Sequence, residues 1–243
     1  MGRVSFLPFF FPFFFFVCKF ERNRDLNFLI SLGWLPKSRP GTFLYLRPAI
    51  IGNGEQLGVT SPSEVLMFII AVPWPDLSTG TPPGAAPKPP GLKLLASKGD
   101  TRAWPGGFGF AKVGANYGPA FVSHMEGRKR GYDQILWLLN DKHEYEVTEA
   151  GASNFFVMWK TRDGRLELVT APLDSKIILD GVTRRSVLEL ARERLVEGSE
   201  HLTADIKSVD VVERVYTMLE LEEAQREGRL VEAFLSGTAV SFV

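Results

Sequence analysis

Lys112 stands in a stretch whose other residues are apolar, glycine or small: Phe108–Pro119, FGFAKVGANYGP. Burial disfavours the charged form of an amine and lowers its pKa. A neutral lysine attacks carbonyl carbon and forms a Schiff base. A loop lysine with its stem laid over apolar neighbours has the same local composition, so the stretch alone leaves both readings open. Gly106, Gly107 and Gly109 lack the spacing of a P-loop or a dinucleotide fingerprint. The second region is Thr148–Arg184, where Glu149 precedes small residues and a strongly apolar segment. A carboxylate beside a core strand is costly unless it has a partner. A ring nitrogen that must stay protonated is one such partner; a strand-end glutamate facing solvent needs none.

The background composition narrows the classes. The chain has 243 residues, 28 Lys plus Arg and 28 Asp plus Glu, for a formal net charge of zero. That balance argues against nucleic-acid binding by a broad basic surface. Hydrophobic residues are 45% and charged residues 23%, as in a folded domain with a real core. The single cysteine, Cys18, excludes an internal disulfide and a cysteine-based zinc site, and His124, His143 and His201 have no ligand spacing, so no metal is expected. Residues 6–20, FLPFFFPFFFFVCKF, hold nine of the 19 phenylalanines, interrupted by Pro8 and Pro12. The run is shorter than the roughly 20 residues of a membrane span, and no small-residue cleavage pattern follows it. Residues 1–32 are expected to be an atypical segment outside the fold, with no membrane role.

The elements that must position Lys112 and Glu149 follow. Thr42–Ile51 reads as a strand with Phe43, Tyr45 and Arg47 on one face, and Pro48 marks an edge or the strand's end. Glu64–Val72 is a continuous apolar run, the pattern of a strand buried on both faces. Pro73–Gly91 holds seven prolines and reads as an interdomain loop. This gives a partial small domain over 33–72 and a larger domain over 92–243. In the latter, Leu92–Ala96, Gln134–Leu139, Asn154–Trp159, Leu166–Thr170 and Val209–Val215 read as strands. Asp163-Gly164 is a hairpin signal. Tyr117–Arg130 reads as helical. A helix after Asp180-Gly181 is expected to bury Val187, Leu190, Ala191 and Leu195, and another spans Leu219–Glu227. Helices and strands mix without regular alternation, so the class is α+β.

Together the two chemical regions resemble one family. Glu149, Gly151, Asn154, Phe156, Leu168, Thr170, Leu179, Gly181, Val182 and Arg184 match the signature of the class IV pyridoxal-phosphate aminotransferases. FAKVGANYGP resembles the Schiff-base lysine segment of the branched-chain amino acid aminotransferases, and GTFLYLRPAIIGNGEQLGV their small-domain strand. SGTA at Ser236–Ala239 is similar to their second phosphate loop. The resemblance runs from about Gly33 to about Val240. It implies the fold-type IV architecture of the D-amino-acid aminotransferases, pyridoxal 5′-phosphate as cofactor and a homodimer in cytosol or mitochondria. The reaction implied is transamination of leucine, isoleucine and valine with 2-oxoglutarate. By the resemblance, Lys112 holds the cofactor covalently and moves the substrate proton, and Glu149 pairs with the pyridine nitrogen. Tyr117 lies near the cofactor hydroxyl, Leu179 on the ring face, and Val182, Thr183 and Thr238 at the phosphate. Tyr45 and Arg47 line the substrate pocket, and the Ala239 backbone meets the substrate carboxylate. Family chains carry more sequence at both ends, so the chain is expected to be truncated. Ala152 replaces a common threonine, and Asp180 replaces a common proline and is placed to cap the following helix. A D-amino-acid aminotransferase, an aminodeoxychorismate lyase and an inactive fragment are the alternatives.

Overall fold

The computed structural model describes residues 43–55, 57–74, 91–141, 144–203 and 207–238. The chain divides into two compact units, the boundary falling between Ala86 and Pro87.

In the first unit, β1 (Phe43–Asn53) pairs antiparallel with β2 (Glu64–Trp74), from Phe43 opposite Trp74 to Asn53 opposite Glu64. Alternation along β1 puts Tyr45 and Arg47 on one face. Pro48 lies inside β1 rather than at its end, opposite Ile69. A two-stranded ribbon leaves an outer edge on each strand where a missing N–H costs nothing. The apolar run of β2 is not buried on both faces: Val65, Leu66, Phe68, Ile70 and Val72 are exposed. Composition makes a strand apolar; burial requires something packed on it, and the described residues of this unit supply one partner strand only.

The second unit is built on a seven-stranded mixed sheet, which carries the α+β class. Its strands are β3 (Leu94–Ser97), β4 (Gln134–Asp141), β5 (Glu144–Ala150), β6 (Ser153–Lys160), β7 (Leu166–Thr170), β8 (Asp210–Glu213) and β9 (Leu230–Ser236). They run in the order β3-β4-β5-β6-β7-β8, with β9 also paired to β6. The helices are α1 (Ala120–Lys129), α2 (Val182–Arg194) and α3 (Met218–Arg226), with a 3-10 turn at Gly114–Asn116 ahead of α1. No helix among the described residues is long and apolar enough to cross a membrane.

The continuous apolar sequence of β6 has a direct cause. Phe155, Val157 and Trp159 pack with Val169, Leu235 and, from α3, Leu221 and Ala224. Phe156, pointing the other way, packs with Leu168 and, from α2, Leu188 and Ala191. A strand covered on both faces needs apolar residues at every position. The expected hairpin at Asp163-Gly164 joins β6 to β7, with Phe156 opposite Thr170 and Lys160 opposite Leu166. Strands β5 and β9 were not legible. Both interleave charged or small residues with apolar ones, and pairing to neighbours makes them strands.

Helix α3 starts with a capping box: Thr217 Oγ1 accepts from Glu220 N at 3.2 Å and Glu220 returns a bond to Thr217 N at 2.9 Å. On α2 the expected stripe is partly wrong. The buried positions are Arg184, Leu188 and Ala191, flanked by half-buried Val187 and Leu195, whereas Leu190 is 44% exposed. A buried arginine occupies the first position of the stripe and turns the helix so that Leu190 faces outward. Urea unfolding separates the two versions of the stripe. Leu188→Ala is expected to cost about 2–5 kcal/mol and Leu190→Ala about 0.5 kcal/mol or less; equal losses would contradict the observed facing.

Candidate active site

One end of β6 gathers most of the residues singled out above. Asn154 is paired with Glu149 of β5 and with Ser236 of β9, while Phe156 is paired with Thr170 of β7 and Phe234 of β9. A strand has two edges, so β5 and β7 follow one another along one edge and β9 occupies the other. Glu149 and Ser236 therefore flank Asn154 from opposite sides. Thr238, exposed, lies two residues beyond Ser236 where the chain leaves the sheet. Ala239 lies outside the described residues.

Glu149 is 2% exposed. Its Oε1 accepts from Leu179 N at 3.0 Å and Asn154 Nδ2 at 3.2 Å. Its Oε2 lies 2.8 Å from Arg102 Nη1, itself buried. The guanidinium nitrogen is aligned on a backbone carbonyl, Ile177 O at 3.1 Å, so Oε2 makes no hydrogen bond among the described residues. Burial pushes the Glu149 carboxyl up to about 7, against the opposing pull of Arg102, the Leu179 N–H, Lys112 and Arg184.

Leu179, half-buried, acts through its backbone: its N–H reaches Glu149, and its carbonyl accepts from Asn154 Nδ2 at 2.8 Å. Gly181 follows as the residue before α2, with extended backbone and no side-chain cap. A Cβ on Gly181 would overlap Asn154 Oδ1, so only glycine lets the helix start approach the β6 end this closely. The Val182 and Thr183 N–H groups open α2, where helix geometry leaves donors without intrahelical acceptors. Asp180 does not cap α2 as expected. Its carboxylate forms an ion pair with Arg185 one turn on, and an arginine offers charge and two donors where the helix end offers only N–H groups. Arg184, 1% exposed, anchors α2 by donating to Ala171 O at 2.8 Å and Glu213 at 2.6 Å.

Lys112 follows a loop tied to the same region, with Phe110 N bonded to Lys176 O at 3.0 Å. The Asn116 amide braces that loop by donating to Phe108 O at 2.6 Å and Ala111 O at 2.8 Å. Of the two readings left open for Lys112, the loop lysine is the one found: Lys112 and Val113 beyond it are both exposed. Phe108 and Phe110 of the same stretch are themselves 66% and 39% exposed, so neither ring lies in a core. The ammonium lies 4.7 Å from the ring centre of Tyr117, and the Arg102 guanidinium 6.0 Å from the same ring. Lys112, Tyr117, Arg102 and Glu149 thus form one chain of contacts.

In the first unit, Arg47 Nη2 donates to Tyr45 Oη at 2.8 Å, so the two expected pocket residues touch. A surface cavity of about 380 Å³, lined by Trp159, Arg162, Arg214 and Glu220 among others, includes none of the expected residues. Arg102 was missed. The signal for it was available: a buried carboxylate needs a partner, and an arginine lies ten residues before Lys112, at the head of the uncharged run 103–111.

The model of the class IV aminotransferase family matches residues 35–243. The chain belongs to that family. Among individual proteins it is similar to the mitochondrial branched-chain-amino-acid aminotransferase of Bos taurus, at 45% identity over 210 residues, covering 86% of this chain and 48% of that one. It is 43% identical over 201 residues to the cytosolic one of Saccharomyces cerevisiae, covering 82% and 48%. The branched-chain aminotransferase of Thermoproteus uzoniensis, solved with norvaline, matches with a TM-score of 0.58 at 25% identity, covering 82% of this chain and 55% of that one. The branched-chain amino acid aminotransferase of Escherichia coli matches at 0.57 and 25%, covering 83% and 55%. The chain spans about half the length of the relatives it matches.

The raised pKa of Glu149 fixes a sign for pH dependence. The folded state holds the proton more tightly than the unfolded chain, whose glutamate titrates near 4.5. The contribution is fully present below about 4.5 and is lost as pH rises through about 7. Urea unfolding of the full chain between pH 4.5 and 8 is expected to show this decline, on the order of 3 kcal/mol. Glu149→Gln should flatten it; an unchanged slope in that variant would remove Glu149 as its source.

Proposed function

We propose that this site carries out pyridoxal-phosphate-dependent transamination between the branched-chain L-amino acids leucine, isoleucine and valine and 2-oxoglutarate. The single observation that carries the reading is the buried Glu149 oxygen without a hydrogen bond, placed at the same end of β6 as the uncapped start of α2. Ser236 Oγ, across Asn154, is likewise buried without a hydrogen bond among the described residues. An acid oxygen in need of a donor suits a protonated ring nitrogen, and free N–H groups at a helix start suit a phosphate. The residues present therefore fit the cofactor.

When bound, pyridoxal phosphate supplies an electron sink for negative charge developing at the substrate Cα. The chain's residues do the rest. Glu149 would hold a proton at the ring nitrogen, and Leu179 would lie against the ring. Val182 and Thr183 would donate backbone N–H groups, and Thr238 its hydroxyl, to the phosphate. Lys112 would hold the cofactor through its amine; once the substrate's amino group takes its place there, the freed amine would take a proton from the substrate Cα and return it, with Tyr117 orienting it. Exposure of Lys112 leaves it accessible to an aldehyde. For Tyr45 and Arg47 the resemblance alone supports a substrate-binding role, the arginine being suited to a glutamate carboxylate, and for Ala239 likewise a backbone contact to the substrate carboxylate. The working assembly is a homodimer in the cytosol or mitochondrion, as the names of the relatives suggest for the compartment.

The test is spectroscopic and then kinetic. Full-length protein with added pyridoxal phosphate is expected to gain a visible absorbance band, and leucine with 2-oxoglutarate to yield glutamate, while D-alanine gives none. Lys112→Ala should lose the band and about 10²–10⁴-fold in rate. A wild type that stays colourless in excess pyridoxal phosphate would refute the reading for this chain and leave a fragment that acts only by interaction.

A further inference from the structure

We infer that Arg102 is a positioning residue of this site, drawing the Glu149 carboxyl toward its anionic form and orienting Oε2, the oxygen with which it forms an ion pair. The inference deepens the transaminase reading and rests on it only for what the anion does next.

The geometry is that of a clamp. Arg102 is buried, with its Nη1 2.8 Å from Glu149 Oε2. The same guanidinium donates to Ile177 O at 3.1 Å and meets Gly109 O at 3.5 Å. It thereby joins the loop before Lys112, the end of β5 and the segment leading to Leu179. Gly109 is pressed against Ile177 at this junction: a Cβ there would overlap the Ile177 carbonyl and the Ala103 side chain.

Two consequences follow from the donor alignment. The guanidinium's hydrogens are directed at carbonyls, so it neutralises Glu149 by proximity and leaves Oε2 able to accept from another donor. A lysine in its place keeps the charge but not the fork that reaches several carbonyls. The charged groups that act on Glu149 are Arg102, Lys112 on its loop and Arg184 on α2, and Arg102 exerts the largest pull of the three. The polar contacts from β6 and the 177–181 segment, Asn154 and the Leu179 N–H, are uncharged. Without Arg102 the buried acid would take up a proton and become a donor, unable to accept from a protonated ring nitrogen.

The decisive measurement is the carboxyl titration of Glu149 in the full chain without cofactor, by infrared spectroscopy of ¹³C-glutamate-labelled protein. Glu149 is identified as the band that Glu149→Gln removes. The wild-type midpoint is expected near 7, Arg102→Lys close to it, and Arg102→Met higher by about 1–3 pH units. A folded Arg102→Met that titrates with the wild type overturns the inference, as does an Arg102→Lys that behaves like Arg102→Met. If Arg102→Met does not fold, the double variant Arg102→Met/Glu149→Gln is expected to fold, because the unpaired buried acid is gone. Failure of the double variant to fold would assign Arg102 to packing alone. Added pyridoxal phosphate forms a separate arm: a wild type that takes up none sinks the transaminase reading, while the titration still decides the role of Arg102.

Discussion

Two opposite charges lie 2.8 Å apart at Glu149 and Arg102, both nearly sealed from water. Neither is tolerable alone there, since an unpaired buried ion costs several kcal/mol. The pair is therefore a constraint on everything around it. Glu149 lies at the end of β5 and Arg102 precedes the Lys112 loop, so the two must be brought together whenever the fold forms. The remaining Glu149 oxygen is held by the Leu179 N–H and by Asn154, which couples the same carboxylate to the start of α2 and to β6. One side chain thus ties together the Arg102 stretch, the β5–β6 hairpin and the approach to α2.

Electrostatics and backbone geometry cooperate at this point. Asn154 is the hub: its backbone pairs with β5 and β9, and its amide donates to both Glu149 and the Leu179 carbonyl. Gly181 lets the helix start lie against that amide. Arg184 then fixes α2 from below by its bonds to Ala171 and Glu213. The result is a network of buried polar contacts, with Lys112 on an exposed loop joined to it through Tyr117 and Arg102.

Legibility in the sequence followed burial on known faces. The core of β6 was readable because a strand covered on both sides has apolar residues throughout, and Leu166–Thr170 because the Asp163-Gly164 turn precedes it. Glu64–Val72 carried the same pattern, yet its side chains are largely exposed, because covering a face takes residues elsewhere. On α2 the choice between Leu188 and Leu190 depended on Arg184, which composition assigns to the surface and pairing places in the core. For Lys112 the local composition left burial and exposure open; the residue is exposed, as are Phe108 and Phe110. Asp180 was expected to cap a helix and instead meets Arg185, a choice between two nearby partners that spacing alone does not decide.

By itself the chain's order of residues determined most strand and helix types of the core, the hairpin at Asp163-Gly164, and the family to which the chain belongs. These are local properties: periodicity, turn preference and a run of matched residue types. Tertiary structure alone decided that Arg102 meets Glu149, that Asn154 joins three segments, and that Lys112 is not sealed from water. Those facts depend on distances between residues far apart in the chain, and on what remains unpaired once water is excluded, which no local pattern encodes.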